Sequence, residues 1–396
     1  MVREMFRTFR KRSFEKLEAN LKTSPPIYKP GFLERWGKSV LYAIAKNKKP
    51  NLEISVDGFR IRSNRILFRG TMNSFLIGFI PSFVFVWFSH YLPHFTTTDW
   101  KQMIFSISLT VLFIGFFTLI EFYLLFKVGL HEAYLLAESA NLELKEEPEL
   151  ITPIPGMLAR IALEIPDPSL HLFGIDPYKT LNKKTVLIKT ILYKLKVMVS
   201  NLTAKVLLKA ILGRTGMRYY VEYVSAPITG FWDGYVTYKI LYELRKRIIS
   251  RKIAEIILNH IRNHHASISD IGKQTLMRAI ANSIVFTKTF HPNFEYILLK
   301  LVKEFNIEFD MDEMDDKFKF EQSISKCSPA EATLAFTVFQ IASCFDGILT
   351  KEELALFPKL FPALNRNDLQ ETTLLSQLIE EGSLKEAVQL SLKMLH

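Results

Sequence analysis

Apolar and polar positions alternate in clearly different ways along the chain. Residues 71–92 hold no Asp, Glu, Lys or Arg in 22 positions, and residues 103–126 hold only Glu121 among 24. A helix needs about 20 apolar residues to cross about 30 Å of hydrocarbon. Soluble core helices of that length carry a polar stripe. Both runs therefore predict membrane-spanning helices, joined by a ten-residue loop at 93–102. The first run starts 70 residues into the chain, which excludes a cleaved signal peptide. Pro81 removes a backbone donor inside the first run and predicts a kink there. Residues 52–62 alternate with period two around Asp57-Gly58. That pattern predicts a β-hairpin with Val56 opposite Phe59 and Ile54 opposite Ile61.

Beyond residue 185 the spacing becomes helical. Residues 186–212 are apolar but interrupted by Lys189, Lys194, Lys196, Lys205 and Lys209, which favours basic amphipathic helices over a further span. Residues 226–249 read as a helix started by Pro227, with Asp233 near its first turn. Arg245, Lys246, Arg247, Arg251 and Lys252 close it with a basic face suited to lipid head groups. The expected fold class is mostly α: a two-span transmembrane helical hairpin, a cytoplasmic all-α region and one short β-hairpin near residues 52–62. The expected units are a basic region at 1–70, the transmembrane hairpin at 71–126 and a Pro-rich connector at 127–184. A basic helical region at 185–267 and a C-terminal helical bundle at 268–396 follow.

Charge changes this picture by giving it a direction. The net charge is +11, and all of it lies in residues 1–70, which hold 17 Lys and Arg against 6 Asp and Glu. Basic residues stay on the cytoplasmic side of a membrane. Arg60, Arg62, Arg65 and Arg69 before the first run and Lys127 after the second thus place both termini in the cytoplasm and the protein in the inner membrane as a multi-pass chain. Arg3, Arg7, Arg10, Lys11 and Arg12, interleaved with Met5, Phe6 and Phe9, read as a helix lying on anionic lipid. Such charge beside an apolar run has its explanation in lipid, and no nucleic-acid partner is expected. Glu121 is the one intramembrane polar position, read either as a carboxylate reaching the interface or as an ion site.

Candidate chemistry adds little. There is no Gly-rich phosphate loop, no Gly-x-Ser-x-Gly and no His-Glu-x-x-His. His260 and His264 have i, i+4 spacing without a neighbouring Glu or Cys, and Asp310–Asp316 lacks the central Gly of a calcium loop. That acidic stretch reads as a surface linker. Cys327 precedes a helix start at Ser328-Pro329, and Cys344 reads as a small apolar filler. The expectation is no enzyme, no cofactor and no metal.

The last 130 residues contain an apparent duplication at an offset of 58, aligning 276–302 with 334–360. Each copy is an apolar helix, a tight turn, a cap and a second apolar helix. Thr350 and Glu353 form a capping box in the second copy. Asp346-Gly347-Ile-Leu-Thr350-Lys-Glu352-Glu353 resembles the Asp-Gly turn and Ser/Thr-x-Glu-Glu helix start of the TerB-like (tellurite-resistance-type) helical domain, over about residues 268–365. The first copy has Lys288-Thr289 where that pattern has Asp-Gly. The remainder of the chain resembles a bacterial membrane protein. The resemblance implies a cytoplasmic scaffold or sensor module attached to membrane components. The expected function is thus a membrane-anchored, non-enzymatic scaffold or regulatory protein with a protein partner or a second copy. The alternative is an oligomeric small-solute transporter or channel subunit using Glu121.

Overall fold

The computed structural model describes residues 30–47, 58–89, 100–147, 150, 152–165, 175, 218–288, 291–305, 314–360 and 366–396. Among them the regular structure is helical. The helices are α1 (Phe32–Asn47), α2 (Phe59–Ser89), α3 (Trp100–Ser139), α4 (Ile154–Ala162), α5 (Arg218–Asn263), α6 (Asp270–Thr287), α7 (Pro292–Phe305), α8 (Lys317–Ile324), α9 (Pro329–Ser343), α10 (Lys351–Leu360), α11 (Arg366–Glu381) and α12 (Leu384–Leu395). The basic positions Arg3 to Arg12, the first half of the expected β-hairpin and the lysine-rich stretch 186–212 lie outside the described residues.

The β-hairpin is corrected. Phe59 to Arg62 form the first turn of α2, and no strand occurs among the described residues. Phe59, Ser63, Ile66, Leu67, Gly70, Ser74, Gly78 and Ser82 recur every three or four residues and are all buried. That helical face continues over between six and seven turns and outweighs an alternation only a few residues long.

The two-span hairpin and the multi-pass placement in the inner membrane are corrected as well. Among the described residues no helix is long and apolar enough to cross a membrane. Residues 71–89 of the first run and all of the second are stretches of longer helices. α2 begins with Arg60, Arg62, Arg65 and Arg69, and α3 continues through Lys127, His131, Glu132 and Glu138. The absence of charge in 71–92 reflects packing. Gly70, Ser74, Gly78 and Ser82 form a face of small residues, and α5 lies against it with Ala226, Gly230, Gly234 and Thr237. A Cβ on Gly230 would stand 2.7 Å from the Phe75 carbonyl oxygen, and one on Gly234 would stand 3.1 Å from that of Thr71. Across the same contact the Thr237 hydroxyl donates to Ser74 Oγ at 2.8 Å.

α3 packs against both α2 and α5, and α1 and α4 cover its C-terminal half. α4 falls inside the expected Pro-rich connector. Pro153 precedes it, Pro155 occupies its first turn, and all its residues but Ile161 are buried. The C-terminal half of α5 is the spine of the body, with α7, α11 and α12 arranged on it. The boundary expected near 267 coincides with a 3-10 turn, His265–Ser267, but one buried apolar cluster runs across it from Leu41 to Leu395.

The helix pairs α6–α7 and α9–α10 begin at Asp270 and Pro292, and at Pro329 and Lys351, so both starts are 59 residues apart. Thr350 and Glu353 exchange both capping hydrogen bonds, at 2.7 and 3.2 Å. α6 and α9 pack on each other and share one carboxylate at their N-termini. Glu331 accepts from the Ser269 N–H at 2.6 Å and from the Ser328 N–H at 3.0 Å. Burial pushes this carboxyl up, but the hydrogen bonds from Ser269 and Ser328 outweigh it and bring it down to about 2. A depressed carboxyl contributes its full stability above its unfolded value of 4.5 and loses it as pH falls toward 2. Glu331 is largely solvent-screened, so Glu331→Ala is expected to cost about 1 kcal/mol at neutral pH, with the difference from wild type shrinking under acid. Thermal melts across that pH range check both statements.

Candidate functional site

Three neighbouring helices leave large apolar side chains uncovered. On α2, Phe68, Met72, Leu76, Ile80, Phe83 and Trp87 are exposed at intervals of three or four residues, which makes them one stripe. α3 adds Phe105, Leu112, Phe116, Leu119 and Tyr123, and α5 adds Phe231, Tyr235 and Tyr238. Leu112 and Leu119 are both 71% exposed. Isolated exposed apolar residues are ordinary, whereas a stripe of this length along one helix marks an interaction site.

Lysines on α3 and α5 lie over aromatic rings of the same helices. Lys127 Nζ lies 6.0 Å from the Tyr123 ring centroid, and Lys239 Nζ lies 5.7 Å from that of Tyr235. Lys101 sits over Trp100 at 5.9 Å toward the other end of α3. A long cationic stem beside an aromatic ring suits a boundary between apolar matter and water. Between α3, the end of α4 and α5 lies a cavity of about 50 Å³, lined among others by Phe122, Phe126, Glu164, Asp233, Thr237 and Ile240.

The basic positions before α2 have specific structural partners. Arg60 pairs with Glu381 at 3.1 Å, and Arg62 donates to the Ser139 carbonyl at 3.4 Å. Arg69 makes a two-pronged pair with the buried Glu132 at 3.0 and 2.6 Å. Arg65 is exposed. Glu121 is buried on α3, beside the cavity residue Phe122.

The basic face expected at the end of α5 is a correction, because most of it is interior. Arg245, Lys246 and Arg251 are each about 95% buried. Long side chains on the spine reach the carbonyls where other helices end. Lys246 donates to Asp346 O at 2.8 Å, Arg245 to Glu380 O at 3.0 Å and Lys252 to Asn141 O at 3.0 Å. Carbonyls near helix C-termini carry partial negative charge and favour a cation. Arg251 pairs with Glu147 at 2.9 Å and stacks on Tyr296. Burial pushes Glu243 up, but Arg247 and Lys246 outweigh it and hold the carboxyl at about 2.

His291, which sequence reasoning passed over, sits beside this network. Burial lowers its imidazole well below the usual range, and Arg247 adds to the effect, so the ring is neutral. Its Nδ1 accepts the Asn293 N–H at 3.2 Å, which leaves the proton on Nε2. Asp346 is raised by burial to about 6, against the hydrogen bond from the Ile348 N–H. Lys246 and the Ser250 hydroxyl, which donates to the Phe345 carbonyl at 2.7 Å, fasten the Asp346-Gly347 turn to the spine.

Asp233 was also misplaced by the sequence. α5 begins at Arg218 and carries Pro227 inside it, so Asp233 is a mid-helix residue on the cavity wall. His260 and His264 stack at 4.5 Å, and His264 Nδ1 bonds the His260 carbonyl. Among the described residues no group of three His, Cys, Asp or Glu is placed to hold a metal ion. Asp315, expected on a surface linker, is buried, and Asp316 caps α8 through the Lys319 N–H at 3.0 Å. Ser328 caps α9 just after Cys327, and Cys344 is fully buried.

Compared with known proteins, the chain matches no family model, no curated protein and no solved structure.

Proposed function

We propose that this protein is a non-enzymatic scaffold or regulatory protein that attaches to a lipid surface through the apolar side chains of α2, α3 and α5. Its helical body then presents a binding surface to a protein partner or a second copy. The observation that carries this reading is the set of uncovered apolar side chains on three adjacent helices, with Lys127 over Tyr123 and Lys239 over Tyr235. Apolar area gains about 25 cal/mol per Å² on leaving water, and each basic residue near an anionic leaflet adds about 1 kcal/mol. Arg65 and the N-terminal Arg3, Arg7, Arg10, Lys11 and Arg12 belong to the same proposal as contacts for anionic head groups. The paired hairpins that resemble a TerB-like domain are the proposed partner-binding module. Purified full-length protein is expected to float with anionic vesicles in a density gradient, and Lys127→Glu with Lys239→Glu is expected to weaken that binding. Protein that stays at the bottom of the gradient with both anionic and neutral vesicles overturns the reading.

A further inference from the structure

The apolar stripe on α2 lies opposite the face that α5 occupies. Each of its residues stands two positions from a buried small one: Phe68 from Gly70, Met72 from Ser74, Leu76 from Gly78 and Ile80 from Ser82. Two positions turn a helix by about 200°, so the stripe faces away from α5. Phe83 and Trp87 carry it to the end of the helix, and Arg65, also exposed, stands at its start. A stripe of this length is rare on a monomer in water.

The stripe reads nearly the same from both ends. Leu76 is its centre. Arg65 and Trp87 lie 11 positions to either side, Met72 and Ile80 lie four, and Phe68 and Phe83 lie eight and seven. We infer that a second copy of this chain covers the stripe, its α2 antiparallel to the first, with a two-fold axis at Leu76. A two-fold contact needs a self-complementary surface. In this register Met72 meets Ile80 and Phe68 meets Phe83. At each end the Arg65 guanidinium of one copy meets the exposed Trp87 indole of the other, a cation–π contact. Charge fixes the direction. The exposed basic residues of α2 are Arg60, Arg65 and Arg69, all toward its N-terminus. Parallel helices would set Arg65 against Arg65. Antiparallel helices hold the two Arg65 22 positions apart along the axis, about 33 Å, far beyond a Debye length of about 8 Å. The assembly goes beyond lipid attachment and does not depend on it. Where an anionic leaflet is present, leaflet and second copy compete for the stripe and for Arg65.

Sedimentation equilibrium of the full-length protein in lipid-free buffer is expected to show a dimer. Leu76→Lys sets two charges together on the axis and is expected to give a monomer. Arg65→Ala removes two symmetry-related contacts and is expected to weaken the dimer about tenfold. Both side chains are exposed, so both variants are expected to keep the wild-type helical content by circular dichroism. Disulfide cross-linking in a Cys327→Ser background, with Cys344 buried, reads the register independently. Leu76→Cys is expected to link to itself. Arg65→Cys and Trp87→Cys are each expected to fail to self-link and to link to one another when mixed. Anionic vesicles are expected to lower the yield of the Leu76→Cys link, and an undiminished yield overturns the competition with lipid. A wild-type monomer at every concentration, or a dimer that survives Leu76→Lys, overturns the inference. Self-linking of Arg65→Cys and of Trp87→Cys overturns the antiparallel arrangement.

Discussion

A Glu34→Ala variant is expected to lose about 3–5 kcal/mol of stability. Glu34 on α1 and Arg160 on α4 meet at 3.1 Å, and both are almost completely removed from water. Truncating the carboxylate leaves a guanidinium in the interior without the Glu34 oxygens. An arginine side chain keeps its charge in a protein interior. α4 is buried along nearly its whole length, so it has no easy route to carry the charge outward. The cost belongs to the buried charge more than to the bond. The double variant Glu34→Met with Arg160→Leu is therefore expected to recover most of the loss. Urea unfolding of the three proteins measures this through the shift in midpoint at constant slope. A Glu34→Ala loss below about 1 kcal/mol would show that water reaches Arg160.

Gly230→Val is expected to cost about 3 kcal/mol or more, the upper range for overfilling a packed contact. The first carbon of any side chain there stands 2.7 Å from a backbone oxygen and 2.9 Å from Phe79 Cβ. Backbone cannot swing aside as the end of a lysine can, so α2 and α5 must separate. Separation also breaks the Thr237–Ser74 hydrogen bond and disturbs Gly234 against Thr71. Gly31 has nothing near its missing side chain, so Gly31→Val is the matched control and should change stability little. The two variants compared by thermal melting isolate the helix contact from the general effect of removing a glycine.

Helical character was legible in the sequence because it is local. Capping residues such as Thr350 with Glu353 act within one turn, and the spacing of the paired hairpins repeats along the chain. What was not legible depends on distant partners. Glu34 and Arg160 are 126 residues apart, and nothing beside either predicts the other. The basic residues that end α5 look like a solvated face until the carbonyls at the ends of three other elements are brought to them. Asp233 looked like a first-turn residue because Pro227 resembled a helix start, whereas α5 begins at Arg218 and carries the proline within it. The uncharged stretch 71–92 was misread for a related reason. Charge counts cannot separate a helix that faces lipid all round from one whose glycines and serines admit a second helix. The small residues Gly70, Ser74, Gly78 and Ser82 at four-residue spacing, with Gly230 and Gly234 in α5, were the available signal.

The apolar faces of α2, α3 and α5 are proposed to meet lipid while the helical body faces water. Nitroxide labels at Leu119, Phe231 and Gln389 test it residue by residue, since Gln389 is exposed on α12, away from the apolar faces. On adding anionic vesicles, the labels at Leu119 and Phe231 are expected to become more accessible to oxygen and less accessible to a water-soluble relaxing agent, with Gln389 unchanged. Equal and undiminished exposure of all three labels to the water-soluble agent would contradict the claim.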